Sequence, residues 1–374
     1  MQNPRPLAQR IYIGAQFAFW LLMMPIGVLL TVVLGTDWVV EKFPTEKPAE
    51  LVQARQLKPA PAPGDSLRVL NWNLKFGGAR IDFFFDCYGD RVHMDSAEVL
   101  HNLAQAAAAI RSLNPDIVLI QEVDRGGKRV AGIDQVQWLL DHTHLNHAAY
   151  ASQWNAWIPK YGLGRVNSGN AVLSRWPLDS AVRHALPQVA AQDFLTRLFY
   201  LRRNVLETRV QLPGQQPLWV LATHLEAYCM DSTRWHQLAI LQRLAAKRAT
   251  QGAVLFGGDL NTLPPGTKKQ KGFDDSACPA DGFVMDDYTA EATWLQPLYD
   301  RYAEAIPLEA YQANEARYYS HTVNGKGWWN RRLDYLFTNG RWTQGAVLQD
   351  SLPNGQRTFP LSDHAPLVGV WHRQ

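Results

Sequence analysis

The hydrophobic pattern begins with one long unbroken run. Residues 11–35, IYIGAQFAFWLLMMPIGVLLTVVLG, carry no charged side chain. At ~1.5 Å per residue the run extends about 37 Å as a helix, which exceeds the ~30 Å hydrocarbon core of a bilayer. It is too long for a usual signal-peptide core, and no A-x-A cleavage pattern follows closely. Residues 1–40 therefore read as an uncleaved signal anchor, with a cleaved signal or a buried core helix as the alternatives. Arg5 and Arg10 precede the run and Lys42 and Lys47 follow it. Basic residues thus leave the orientation close to a draw. The short N-terminal tail favours an exported body, single-pass and extracytoplasmic, as in a bacterial periplasm. Residues 41–65, EKFPTEKPAELVQARQLKPAPAPGD, read as an extended Pro-rich tether.

From residue 66 to 374 the pattern changes to short apolar runs bounded by turn residues. Leu67–Leu74, Ile117–Gln121, Ala171–Ser174, Val205–Gln211, Leu218–His224, Val254–Gly258, Leu333–Thr338 and Leu367–Trp371 predict strands. Asp95–Leu113 has helical spacing, with Asp95 or Ser96 as the cap, Glu98 in the first turn and Asn114-Pro115 as the stop. Asp231–Arg248 predicts a second helix. Strands outnumber helices and connections are short. Two sheets packed face to face with helices outside, an α+β layered sandwich, follow from that pattern.

Composition changes little. Of 374 residues, 47% are hydrophobic, which is enough for a large core. The formal net charge is +3, and the body after residue 60 is close to neutral. A general nucleic-acid clamp usually shows a strong basic excess. Cys87, Cys229 and Cys278 fit no zinc spacing, and their odd number leaves at least one thiol unpaired within the chain.

The chemistry lies in polar residues that interrupt the strands. Asn73 sits inside LNWNL, either as a satisfied core amide or as an oxygen ligand for a hard metal. Glu122 ends IVLIQE, and a carboxylate there is costly to bury without a partner. Mg²⁺ takes oxygen ligands of this kind. His224 ends VLATHLE, either as a capping histidine or as a donor to phosphate oxygens gaining charge. Asp259 and Asn261 follow two glycines in GGDLN. Two apart on an extended segment they point to one side, while an Asx-type turn is the plainer alternative. Asp334 lies inside RRLDYLF, although Asp is depleted from strands. His364, in SDHAPL, acts as a general base at neutral pH if a carboxylate orients its ring. Asp334 is the natural partner, and Asp363 is a candidate metal ligand. No G-x-S-x-G, P-loop, GxGxxG or HExxH pattern is present.

The ordered series LNWNL, IQEVD, GNAVLSRWPL, THLEAY, GGDLNT, RRLDYLF and SDHAPL resembles the endonuclease/exonuclease/phosphatase superfamily across roughly residues 67–372. The resemblance implies a four-layer α/β/β/α sandwich like that of DNase I. It implies Mg²⁺ or Mn²⁺ on Glu122, with Asn73 and Asp363 nearby. Asp259 and Asn261 would hold the attacking water and the phosphate, and His224 would stabilise the transition state. His364, oriented by Asp334, would act as the base or as a proton donor to the phosphate. Two insertions depart from the pattern: GGARIDFFFDCYGDRVHM before Asp95, and a long segment beginning PPGTKKQKGF after Thr262. With Trp328-Trp329 they should border the active face and set specificity. A phospholipid or sphingolipid headgroup is the expected substrate. An extracytoplasmic nuclease is the alternative, and a catalytically dead tethered protein the third reading.

Overall fold

A computed structural model describes residues 7–35, 40–86, 89–227, 229, 231–273, 277–278, 283–284, 287–323, 325 and 327–373. The chain divides into two compact units, residues 1–42 and 43–374.

The first unit contains helix α1 (Leu7–Gly35). Its segment Tyr12–Val32 is long and apolar enough to cross a membrane. Phe17, Trp20, Leu22 and Met24 are each about two-thirds exposed, so this helix has no apolar core of its own.

In chain order the strands of the second unit are β1 (Glu46–Pro48), β2 (Glu50–Gln53), β3 (Ser66–Asn73), β4 (Ile117–Asp124), β5 (His147–Ile158), β6 (Gly164–Ser174), β7 (Leu178–Ala185) and β8 (Asn204–Val210). They continue with β9 (Leu218–His224), β10 (Val254–Asp259), β11 (Ala277–Cys278), β12 (Phe283–Val284), β13 (Ala303–Glu304), β14 (Asp334–Thr338), β15 (Arg341–Val347) and β16 (Leu367–His372). The helices are α2 (Ser96–Leu113), α3 (Gln135–His142), α4 (Phe194–Phe199), α5 (Thr233–Ala249), α6 (Gln296–Arg301) and α7 (Leu308–Ala313). One seven-stranded sheet runs β15-β16-β3-β4-β6-β5-β2, and the other β1-β7-β8-β9-β10-β14-β13; β11 and β12 form a separate two-stranded antiparallel sheet.

Alternation along the strands builds the layers. Val69 and Leu119 of the first sheet point inward and meet Val220, Leu255 and Leu336 of the second. Their neighbours Leu70 and Val118 point outward and are covered by Val99, Leu103 and Ile110 of α2 and Leu139 of α3. On the far face of the second sheet, Leu221, Phe256 and Phe337 are covered by Leu238 and Leu241 of α5 and Leu298 of α6. The result is the expected four-layer sandwich. Central strands such as β4 and β10 read as nearly continuously apolar because both of their faces are buried. A fully buried aliphatic side chain of this kind contributes about 2 kcal/mol.

Helix α2 begins as its sequence predicts. Asp95 accepts from the backbone N of Glu98, and the Glu98 side chain returns the bond to Asp95 N. A capping box of this type is worth about 1 kcal/mol. Asn114 closes the helix in the left-handed conformation.

The extended tether expected over residues 41–65 is in part sheet. β1 adds an edge strand to β7, and β2 adds one to β5 on the opposite sheet. One short strip therefore laces both sheets. Its Pro and charged residues suit an edge, where one side of the strand needs no ladder bond. Glu122 does not end its strand either; β4 continues to Asp124 through a register shift between Ile120 and Val123.

Candidate active site

Two β-α-β units place the polar residues. β3 and β4 are parallel, joined through α2, and β9 and β10 are parallel, joined through α5. Side chains at the carboxyl ends of such paired strands face a common crevice. Asn73 and Glu122 come from the first pair, His224 and Asp259 from the second. In the second sheet, Asp259 is in register with His224 on one side and with Asp334 on the other. Three site residues on three strands thus form one row.

His364 enters from the loop before β16. Its Nδ1 lies 2.7 Å from Asp334 Oδ2 and its Nε2 lies 3.5 Å from Asp259 Oδ2. The carboxylate of Asp334 is fully buried and also accepts from Ser320 Oγ at 2.7 Å. Asn71 Nδ2 donates to its other oxygen at 3.4 Å and accepts, through Oδ1, from Gln121 Nε2 at 2.9 Å. Burial alone would depress the imidazole of His364, but Asp334 and Asp259 outweigh it and raise its pKa to about 10. Burial raises Asp259 to about 7 against the opposing pull of His364. Each of the two groups thus favours the charged form of the other.

Asn73 Nδ2 donates to Glu122 Oε1 and to Asp259 Oδ2, both at 3.1 Å. This amide ties the two β-α-β units together at the site floor. Glu122 has φ +51° at the register shift, a left-handed value that re-aims its side chain out of the strand's alternation. Its carboxylate is 28% exposed, the opening of the cluster to solvent. Burial and the charge of Asp363 hold it above the ordinary carboxylate range. His224 Nε2 lies 3.4 Å from Asp259 Oδ2. Among the described residues its buried Nδ1 has no hydrogen-bond partner, and burial keeps the ring neutral, well below the usual pKa.

The extended arrangement of Asp259 and Asn261 gives way to the Asx turn. Asp259 Oδ1 accepts from the backbone N of Asn261 at 3.0 Å, and Asn261 turns left-handed with φ +48°. Its Nδ2 donates to Leu225 O. Gly258, with φ +138°, passes so close to Thr223 that a Cβ would lie 1.8 Å from its carbonyl oxygen. The glycine pair is thus required by strand packing.

Asp363 is held by Lys75, whose Nζ lies 3.6 Å from its Oδ2, and by Ser362 Oγ at 3.2 Å. Burial would raise the Asp363 carboxyl, yet Lys75 and His364 keep it below its ordinary value. His321 packs against His364 with the rings tilted by 43° and their centroids 4.3 Å apart. Ligand atoms of His321, Asp363 and His364 all lie within 4.8 Å of one another, a grouping that shares only Asp363 with the expected metal set.

Asn71, Lys75, Gln121, Ser320 and His321 were not singled out by the sequence. Asn71 and Gln121 carried the same signal as Asn73, a carboxamide inside an apolar strand. Lys75 and His321 lie in loops whose path the pattern does not define. Of the cysteines, Cys229 is free and buried, while Cys87 lies outside the described residues.

Several solved structures are similar to this chain. An endonuclease/exonuclease/phosphatase protein from Beutenbergia cavernae is 20% identical, with a TM-score of 0.54 over 82% of this chain and 72% of that one. A conserved protein of unknown function from Enterococcus faecalis is 16% identical, with a TM-score of 0.52 over 82% of this chain and 100% of that one. The human Nocturnin catalytic domain, bound to sulfate, is 18% identical with a TM-score of 0.49 over 88% of this chain and 99% of that one. No curated protein sequence matches. The model of the endonuclease/exonuclease/phosphatase family matches residues 70–364, from strand β3 to His364. The chain belongs to that family, whose members hydrolyse phosphoester bonds and generally depend on a divalent metal.

Proposed function

We propose that the chain is a membrane-anchored phosphodiesterase that uses Mg²⁺ or Mn²⁺ and acts on a phospholipid or sphingolipid headgroup outside the cytoplasm. The observation that carries the hydrolase reading is the in-register row His224, Asp259 and Asp334, with His364 fixed to Asp334 at 2.7 Å.

The residues present fit a hard divalent cation. Glu122 and Asp363 are oxygen donors whose charges act on one another, and the amide of Asn73 adjoins Glu122. Oxygen-rich sets with one or two carboxylates suit Mg²⁺. A cation there supplies Lewis-acid polarisation of the phosphoryl oxygen. Glu122 and Asp363 would hold it, with Asn73 beside them.

The remaining chemistry belongs to the side chains. Asp259 accepts a proton from the attacking water as the new oxygen–phosphorus bond forms in line with the bond that breaks. Asn261, fixed by the turn on Asp259, orients that water. His364, flanked by two carboxylates, presents Nε2–H to a non-bridging phosphate oxygen. The neutral His224 donates to another. The leaving oxygen departs as an alkoxide and takes its proton from solvent.

The lipid reading rests on α1 and on exposed aromatics around the site. Phe85 is 41% exposed beside Asp86, Trp328 is 43% exposed and stacked on Phe359, and Tyr161 packs on Phe84. The nuclease reading draws on Lys268, Lys269 and Lys271, which are exposed. Purified residues 43–374 with Mg²⁺, offered supercoiled DNA and mixed phospholipid vesicles in parallel, separate the two. Headgroup release that disappears in His364→Ala is expected. DNA nicking lost in the same variant, with vesicles untouched, would sink the lipid substrate.

A further inference from the structure

Lys75 lies in the wall of the site yet belongs to none of the groups used so far. It is 3% exposed. Its Nζ lies 2.9 Å from Asp86 Oδ2 and 3.6 Å from Asp363 Oδ2. Its backbone N donates to Asn73 Oδ1 at 3.0 Å. Lys75 and Phe76 both adopt left-handed backbone, with φ +45° and +43°. Two successive non-glycine residues in that region persist only where their surroundings over-determine them.

Those surroundings come from the insertion. Phe76 and Phe83 are fully buried and meet edge to face at 4.8 Å, with Arg129 over Phe76 at 3.8 Å. The turn that follows brings Asp86 back, and Asp86 Oδ2 also accepts from Phe83 N at 2.9 Å. The aromatic residues of the insertion thus have a mechanical consequence: they aim one carboxylate at one ammonium. A lysine has a flexible four-carbon stem and would otherwise sample many positions.

Charge bookkeeping shows what this ammonium does. Lys75 is the ammonium in contact with both Asp86 and Asp363, so it offsets negative charge that would otherwise face an anionic ester. We propose that Lys75 is a resident second cation of the phosphoryl site, donating to a non-bridging oxygen beside one divalent ion, and that Asp86 is the positioning residue that holds it there. The proposal rests on the phosphoesterase reading above. It makes the enzyme a one-metal catalyst whose second positive charge is covalently attached.

The test uses the full chain in detergent, Mn²⁺ and bis(p-nitrophenyl) phosphate. Mn²⁺ binding is read by electron paramagnetic resonance, separately from turnover. Wild type binds one Mn²⁺. Lys75→Met keeps that stoichiometry, with Kd within about threefold, while kcat/KM falls about a hundredfold, the usual scale for one preorganised donor. Lys75→Arg recovers at least about tenfold of the loss. Asp86→Asn, which is isosteric, lowers kcat by about tenfold alone and has no further effect in the Lys75→Met background, as expected for residues acting as a unit. Wild-type turnover in Lys75→Met, full recovery by excess Mn²⁺, or two Mn²⁺ in wild type would each overturn the inference. If Lys75→Met fails to fold, Asp86→Asn decides: unchanged kcat overturns it. A wild type inactive on every ester sinks the phosphoesterase reading and this inference with it, whereas an active wild type matched by Lys75→Met sinks this inference alone.

Discussion

At the scale of single residues, the site depends on how His364 is held. Asp334 is buried, and its carboxylate is satisfied by His364, Ser320 and Asn71 together. A carboxylate in this position accepts from Nδ1, favours the protonated ring and fixes its orientation. Asp334→Asn keeps the volume but removes that charge. We expect it to lower kcat by about two to four orders of magnitude, as loss of a histidine-orienting aspartate does elsewhere. Steady-state rates of Asp334→Asn, His364→Ala and the double variant check this. A double variant much slower than either single one would mean that the two do not act as a unit.

The same scale separates legible residues from hidden ones. Asp259 and Asp334 were visible because each interrupts or ends an apolar run, and His364 because it directly precedes one; a buried polar atom in such a place needs a partner. Lys75 gave no such sign. Its position depends on two left-handed residues and on a carboxylate eleven positions away in an insertion. No periodicity encodes such a contact.

At the scale of elements, the strip carrying β1 and β2 is the informative case. Pairing of β1 with β7 and of β2 with β5 caps one edge of each sheet. Exposed edges invite pairing with other chains. A chain starting at residue 57 should melt several degrees below one starting at residue 43 and should aggregate on heating. Equal melting of the two by calorimetry would show that the strip is dispensable.

The strip also meets a buried charge cluster. Glu46 of β1 lies 3.4 Å from His184 Nδ1, and His184 Nε2 lies 3.5 Å from Glu207, which Arg248 also holds. Burial alone would raise the Glu207 carboxyl, but the neighbouring His184 and the hydrogen bonds from Arg248 pull it from 4.5 to about 2. A carboxyl with a lowered folded pKa contributes stability above its unfolded value. That contribution is lost as pH falls from about 4.5 towards about 2, and it is on the order of 3 kcal/mol. Urea unfolding of wild type and Glu207→Gln at pH 6 and pH 3 checks this. The difference between them should shrink at pH 3, and a difference independent of pH would contradict the linkage.

At the scale of the whole molecule, the two units differ in how they treat apolar surface. Helix α1 exposes large apolar side chains along its length, while the unit at residues 43–374 buries its own. Apolar surface of that extent needs a lipid or protein partner. We expect the full chain to stay with membranes through a high-salt, alkaline wash, and residues 43–374 to be soluble and folded. Release of the intact chain by the wash, or a mature N-terminus near residue 37, would replace the anchor with a peripheral or cleaved segment.

Much of this protein follows from the sequence by itself. A 25-residue uncharged run can be read without a fold, because its length and apolar character alone make it long enough to cross a bilayer. Most central strands and helix α2 are equally local, since burial of both strand faces and a capping box leave their marks in adjacent residues. The polar interruptions marked one end of those strands as chemical. The tertiary structure decided how these residues meet. Parallel pairing and strand register put His224, Asp259 and Asp334 in one row. A register shift turned Glu122 outward, and a tether became the edge of two sheets. A loop of phenylalanines aimed Asp86 at Lys75. The physical reason is common to all four: sequence patterns record which face a residue buries, whereas register, bulges and loop closure are set by contacts between segments far apart in the chain.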